Sequence, residues 1–243
     1  IGSLIISYDD NGESNGDWIV TGSAVDGQWN RGVPINCDRS DPNSDYDGSG
    51  SCWLTDNSSS DGCNSDVDEG STTLTSGIID LTSINDPILS YARWFHNSSG
   101  ASPNTDTFVV EWSSQTTAWT LLESVGPSGA DVNGGWVQAT FNINDFAPGI
   151  NQIQLRFTAS DEGADTQSVV EAGVDAIVVS ATECDDAAPC PADTNDDGVV
   201  NIGDLLLIID NWGQSGGTGD VNDDNIVNVS DLLMMIASWG NCP

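Results

Sequence analysis

The chain has 243 residues, 37% of them apolar and nine of them tryptophan, which is enough to bury a core and excludes a disordered polymer. Thirty-eight acids face four arginines and no lysine, a formal charge of −34. Such a surface repels nucleic acid and anionic lipid and attracts divalent cations, and no apolar run approaches the roughly 20 residues that span a bilayer.

In chain order, Ile1 stands first without Met and reads as the start of a processed, mature protein. Ile1–Ser7 is apolar and strand-like; it can pair within its own domain or add a strand to a neighbouring subunit. From Trp18 to about Ala181 the apolar residues recur with period two, as in Ile153, Leu155 and Phe157 against Gln154, Arg156 and Thr158. Strands are expected over 17–22, 51–55, 72–81, 87–95, 108–112, 118–125, 135–142, 153–159 and 172–179, with Gly, Asn, Asp, Ser and Pro clusters between them. Many short strands with turn signals predict a mainly β fold, a jelly-roll β-sandwich over 1–184. Residues 37–71 form a long acidic loop, and a loop of that length in a compact domain is functional or stapled.

The six cysteines favour disulfides and an oxidising, extracellular setting, since zinc would need paired cysteines or more than the single His96. Cys190 and Cys242 flank a C-terminal repeat and are expected to bond to each other. The other four make two further bonds, with Cys37–Cys63 and Cys52–Cys184 the first choice among three pairings.

After a short linker over 185–189, residues 190–243 form a separate small helical domain. The run from Asp193 recurs 27 residues on, from Asp220, and each copy ends in Trp-Gly. Calcium takes six to eight oxygens, which a 12-residue loop supplies from positions 1, 3, 5, 7, 9 and 12. Those positions hold Asp193, Asn195, Asp197, Val199 (by its carbonyl), Asn201 and Asp204 in one loop. In the other they hold Asp220, Asn222, Asp224, Ile226 (by its carbonyl), Asn228 and Asp231. Gly198 and Asn225 fill the sixth position, where the backbone turns through positive φ. Val200 and Val227 are expected to pair the loops back to back, and Leu205/Leu232, Leu206/Leu233 and Ile209/Ile236 to face one helix to the other.

With the Asp-x-Asn-x-Asp-Gly-x-Val-Asn-x-x-Asp-Leu pattern in view, residues 190–243 resemble dockerin, a calcium-binding module at the C-terminus of secreted bacterial proteins. The resemblance implies two bound Ca2+ ions and docking onto a cohesin partner. Ile202-Gly203 and Val229-Ser230 stand where that family often carries partner-reading Ser-Thr pairs. Residues 17–184 resemble the jelly-roll, MAM-like adhesion modules of secreted bacterial proteins, through Asp45-Tyr-Asp-Gly-Ser-Gly, Leu54-Thr-Asp-Asn, Asn64-Ser-Asp-Val-Asp, Tyr91-Ala-Arg-Trp and Val170-Glu-Ala-Gly-Val-Asp. This second resemblance implies an adhesive or binding role and leaves room for one or more Ca2+ ions in the sandwich. Asp56, Asp66, Asp68 and Asp175, with Asp9 or Asp10, are the candidate ligands.

Catalysis has little to build on: every Ser-His-Asp or Cys-His arrangement would run through His96, which reads as a surface residue at a strand end. Carboxylate pairs are unavoidable among so many acids and point to no glycosidase. Trp94 and Trp112 read as core, whereas Trp29, Trp119 and Trp136 lie near turns and could stack on sugar rings. The expected function is therefore a secreted, non-catalytic calcium-binding protein of extracellular adhesion or assembly, up to the subunit of a filament. Its partner would be a protein, other copies of itself included. A carbohydrate-binding module and a fragment of a secreted hydrolase are the alternatives.

Overall fold

The computed structural model describes residues 3–36, 39–58, 66–161, 168–183 and 190–242. Cys37, Cys63 and Cys184 lie outside them, so the Cys37–Cys63 pairing does too. The chain divides into two compact units, Ser3–Glu183 and the described residues from Cys190 onward.

The first unit is a two-sheet antiparallel sandwich. Its strands are β1 (Ser3–Asp10), β2 (Ile19–Gly22), β3 (Trp29–Gly32), β4 (Cys52–Thr55), β5 (Gly70–Thr75), β6 (Ile79–Asp80), β7 (Ile88–Gly100), β8 (Phe108–Ser113), β9 (Thr120–Val125), β10 (Val137–Asn142), β11 (Gln152–Asp161) and β12 (Ser168–Glu183). One sheet runs β10-β7-β12-β4-β3 with β1 also on β12; the other runs β2-β5-β11-β8-β9 with β6 on β11. Between them sits a core of Tyr91, Phe95, Phe108, Phe157, Leu74, Leu89, Leu155 and Ile177. In β11 the period-two pattern becomes physical: Ile153, Leu155, Phe157, Ala159 and Asp161 all point inward.

β12 organises the first sheet. One of its edges carries β7, and the other is shared by β4, against Gly173 and Val174, and by β1, from Ile177 to Glu183. The apolar N-terminal segment is thus paired inside its own domain, which removes the free strand that addition to a neighbouring subunit would need.

Three further expectations change. The run 72–81 breaks into β5 and β6, β3 occupies a stretch expected to be loop, and a short helix α1 (Ile143–Phe146) follows β10, capped by the Asn142 side chain. Trp29 is core, while Trp94 stands half-buried on the outer face, donating to the Ser40 carbonyl at 2.9 Å. Cys52 is buried in β4 with a free thiol, so the expected Cys52–Cys184 bond is not made; burial, then the charge of Asp175, pushes that thiol well up and leaves it inert.

The second unit holds β13 (Val199–Val200), α2 (Ile202–Asp210), α3 (Val229–Ala237) and β14 (Gly240–Asn241), around Ala192, Val200, Ile208, Val221, Val227 and Met235. Cys190 and Cys242 are bonded, their Cα atoms 5.8 Å apart. Closing such a long loop stabilises by roughly 4 kcal/mol in the chain-entropy model.

The two calcium-type loops do not ladder with each other. β13 of the first pairs with β14, after α3. In the second loop, Val227 exchanges hydrogen bonds with Gly213 and Gln214, after α2. Each loop is therefore stitched to the segment that ends the other repeat's helix. Val200 and Val227 still meet, but as side chains in the core.

Gly173 shows how tightly the outer face of the first sheet is packed. A Cβ there would lie 2.9 Å from Trp136, 3.1 Å from Leu54 and 3.2 Å from Trp94. Overpacking of this kind costs about 1–3 kcal/mol. Gly173→Ala should lower the urea midpoint of the sandwich with an unchanged slope, and an unchanged midpoint would show that Trp136 does not rest there.

Candidate calcium centres

Two kinds of centre are built from this chain's oxygens. In the first C-terminal loop the backbone turns through positive φ at Asp196 (57°) and Gly198 (85°), and in the second at Asp223 (58°) and Asn225 (69°). Asn at the sixth position thus adopts the left-handed turn that Gly supplies in the other loop. The hydrogen bonds repeat almost atom for atom. Asp193 accepts from the amides of Asp197 (3.1 Å) and Gly198 (2.7 Å), and Asp220 from those of Asp224 (3.1 Å) and Asn225 (2.9 Å). Asn195 and Asn222 accept from the same Asp amides, each at 2.9 Å. The Asn201 and Asn228 side chains reach the carbonyls of Val199 (2.8 Å) and Ile226 (2.9 Å).

Asp204 and Asp231 join loop to helix. One oxygen of Asp204 accepts from Thr194 and Asn195 and the other from Asn201, closing a capping box; Asp231 does the same with Val221, Asn222 and Asn228. Burial alone would raise both carboxyls, but these amides outweigh it and hold them below their ordinary range. All twelve expected ligands therefore sit in two all-oxygen loops of matched conformation, a donor set suited to a hard cation.

The helices are turned differently from the expectation. Asp204 and Ile208 face inward on α2, and Asp231 and Met235 on α3. With Asp204 and Asp231 fixed by their amides, the residues one turn later go to the core. Leu206, Ile209, Leu233 and Ile236 point to solvent instead of toward the other helix.

The second kind of centre lies on the sandwich. Asp45, Asp47 and Asp175 bring one oxygen each within 4.8 Å of one another, the one such group of three acids among the described residues. Asp175 is buried on β12, where a register shift toward Val178 and a positive φ of 49° at Ala176 mark a bulge. The loop carrying the other two is pinned to the sheet by tryptophan: Trp94 Nε1 donates to Ser40 O and Trp136 Nε1 to Ser44 O, each at 2.9 Å, while Tyr46 packs edge-on against Trp136. Asp175 accepts from the Tyr46 and Ala176 amides, both at 2.8 Å, Asp45 from Gly50 and Asp47 from Ser49. Burial pushes Asp175 up to about 6 even so, with Asp47 adding to the shift.

The other sandwich candidates are not in this group. Asp66 is buried against Arg39 at 2.6 Å and the Val170 amide at 3.0 Å; burial still takes it up to about 7. Asp68 bridges to Asp26, and burial, then Asp26, raises it. The Asp56 amide donates to the Gln28 carbonyl at 3.3 Å, its backbone at a positive φ of 35°. Asp10 accepts from Trp18 Nε1 at 2.7 Å and from the Gly12 amide, and Asp9 is exposed. Sequence reasoning did not single out Asp45 and Asp47 as candidates, although the Asp-Tyr-Asp-Gly turn that carries them was in view.

His96 is buried, not at the surface. Its Nε2 lies 2.7 Å from Ser99 Oγ, and burial lowers its pKa, so it stays neutral near pH 7.

No family model matches the chain, and neither does any curated protein. Among solved structures it is similar to the K1 cleaved adhesin domain of Lys-gingipain from Porphyromonas gingivalis W83, with 16% identity over 73% of this chain and 98% of that one and a TM-score of 0.45. The K3 domain of the same protein gives 13% identity over 73% of this chain and 100% of that one, with a TM-score of 0.44. A carbohydrate-binding module of the β-sandwich superfamily gives 13% identity over 69% of this chain and 59% of that one, with a TM-score of 0.40. Similarity at these scores carries nothing about what this chain binds.

Asp175 and Asp66 hold protons more tightly folded than unfolded, where an Asp titrates near 4. Above their folded pKa values the buried charge costs stability, so stability is lost as pH rises. In EDTA the sandwich should gain thermal stability as pH falls from about 7 toward about 4, and saturating calcium should shrink that gain by lifting the pH 7 value. A flat profile in EDTA would contradict this assignment.

Proposed function

We propose that this protein is a non-catalytic, calcium-stabilised extracellular binding and assembly protein whose dockerin-like C-terminal unit docks a protein partner. One observation carries the reading. Ile202, Leu206 and Ile209 on α2 with Trp212 just after it, and their repeats Val229, Leu233 and Ile236 on α3 with Trp239 just after it, are each 49–62% exposed. Eight large apolar side chains at matched positions outside the core form two equivalent faces of the kind that mark an interaction site. The same unit carries nine Asp and no cationic side chain, so a partner would present an apolar surface rimmed by Lys and Arg.

The Cys190–Cys242 bond supports an oxidising compartment. The MAM-like, jelly-roll reading of the sandwich supplies the adhesive role, and the acidic group of Asp45, Asp47 and Asp175 is the place where a calcium ion would bind it. Glycan binding finds less support. Trp29, Trp53 and Trp112 are buried, and Trp18, Trp94, Trp119 and Trp136 are half-covered by neighbours. The apolar row a sugar groove needs is not formed by them.

Asp193→Ala and Asp220→Ala should each remove one calcium ion from the full chain, read by titration calorimetry. EDTA should remove the far-ultraviolet helical signal of α2 and α3; unchanged helicity would sink the calcium reading. If the partner is a second copy, sedimentation in calcium should show association that Leu206→Glu with Leu233→Glu abolishes, and a monodisperse monomer would rule self-docking out.

A further inference from the structure

Asp161 ends the inward series of β11, at a position where the pattern calls for an apolar side chain. It is fully buried, and its Oδ2 has no hydrogen-bond partner among the described residues. Around it, Ser168 opens β12, and Ser102, Thr105 and Asp106 lie between β7 and β8.

The contacts do not balance. Ser168 Oγ meets Asp106 Oδ2 and lies 3.2 Å from Asp161 Oδ1. Thr105 Oγ1 lies 2.8 Å from Asp106 Oδ2, 2.8 Å from the Ser102 carbonyl and 3.4 Å from Ser168 Oγ. Five oxygen–oxygen contacts share two hydroxyl protons, so with both carboxyls ionised at most two of them are two-centre hydrogen bonds. No side-chain cation relieves them: the ion pairs among the described residues use Asp66, Glu123, Asp131 and Glu111. Burial, then the charge of Asp106, pushes Asp161 up to about 6, against the opposing pull of the Ser168 hydroxyl and the Glu69 amide. Two buried carboxylates, Asp161 and Asp106, thus meet at one hydroxyl with no side-chain cation paired to either among the described residues.

Four of the five contacts lie 2.8–3.4 Å apart, and the Ser168–Asp106 contact is tighter. Ligand oxygens at about 2.4 Å from a seven-coordinate calcium stand roughly 2.8–3.4 Å apart around its equator and from equator to pole. We propose that Asp161, Asp106, Ser168, Thr105 and the Ser102 carbonyl form a further calcium site, with the unpartnered Oδ2 of Asp161 as a ligand. The ion ties the end of β11 in one sheet to the start of β12 in the other and holds the loop before β8 against both. It is independent of the Asp45–Asp47–Asp175 centre and of the C-terminal loops.

The competing occupant is a proton shared by the two carboxylates. Calcium retained per full-length chain, measured by atomic emission after gel filtration in calcium, should fall by one ion in Asp161→Asn. Asp193→Ala reports on a different centre, so the double variant should lose two. An Asp161→Asn chain that keeps the wild-type count and melts higher at pH 7 would overturn the calcium site in favour of the shared proton. If that variant does not fold, wild-type crystals grown with terbium decide the matter: an anomalous peak bonded to Asp161 Oδ2 supports the site, and its absence at full occupancy elsewhere overturns it.

Discussion

Positive charge is the scarce component of this protein, and most of its architecture follows from where it is found. Thirty-eight acids share four arginines, so a buried carboxylate must use backbone amides, one of those arginines, or an ion from solution. Asp204 and Asp231 take the first course and are stabilised as anions by fixed N–H dipoles at a helix start. Asp66 takes the second, and even Arg39 together with the Val170 amide leaves its carboxyl raised. Arg93 is shared between Glu123 and Asp131 from within the sheet. Asp175 has two amides and still stands close to Asp45 and Asp47, and no arginine pairs with any of the three among the described residues.

The same amide bonds decide what the C-terminal unit shows to solvent. A helix has one inward stripe, and its rotation is set by whichever residue is anchored first. Here the anchor is polar. With Asp204 and Asp231 held under the loop amides, Ile208 and Met235 follow into the core one turn later, and the remaining leucines and isoleucines are left outside. The exposed apolar faces are thus a consequence of loop chemistry, repeated because the loop is repeated. The cross-stitching of each loop to the segment after the other helix makes the two faces part of one small rigid body.

Most of this was legible in the sequence where a period or a spacing is physically enforced. Alternation in β11 and β7 located the long core strands, and the 27-residue repeat located both loops and helices. What the sequence hid were contacts between distant segments. Nothing near Asp175 announces that a bulge at Ala176 and two outer-face tryptophans bring Asp45 and Asp47 to it, whereas the nearer-seeming Asp66 finds Arg39. The helix faces were misread because leucine was weighed above aspartate, although an aspartate capping its own helix is the less movable of the two. β1 was readable as a strand but not as the partner of β12, since pairing over that separation leaves no local signature.

Calcium would act on docking in two ways that share a sign. Bound in the loops, it would fix the turns that start α2 and α3 and so create the apolar faces; it would also cancel part of the charge of nine aspartates on the same small unit. The charge effect is long-ranged and fades once the ionic strength brings the Debye length near 8–10 Å, while the ordering effect does not depend on screening. If those faces form only around an ion, a chain of −34 would stay apart from its own kind where calcium is scarce, because both the repulsion and the missing face would oppose contact. Where calcium is abundant, as outside cells, the repulsion falls as the face appears. On the proposed reading, the acidity that looks like a barrier to assembly would confine assembly to one compartment.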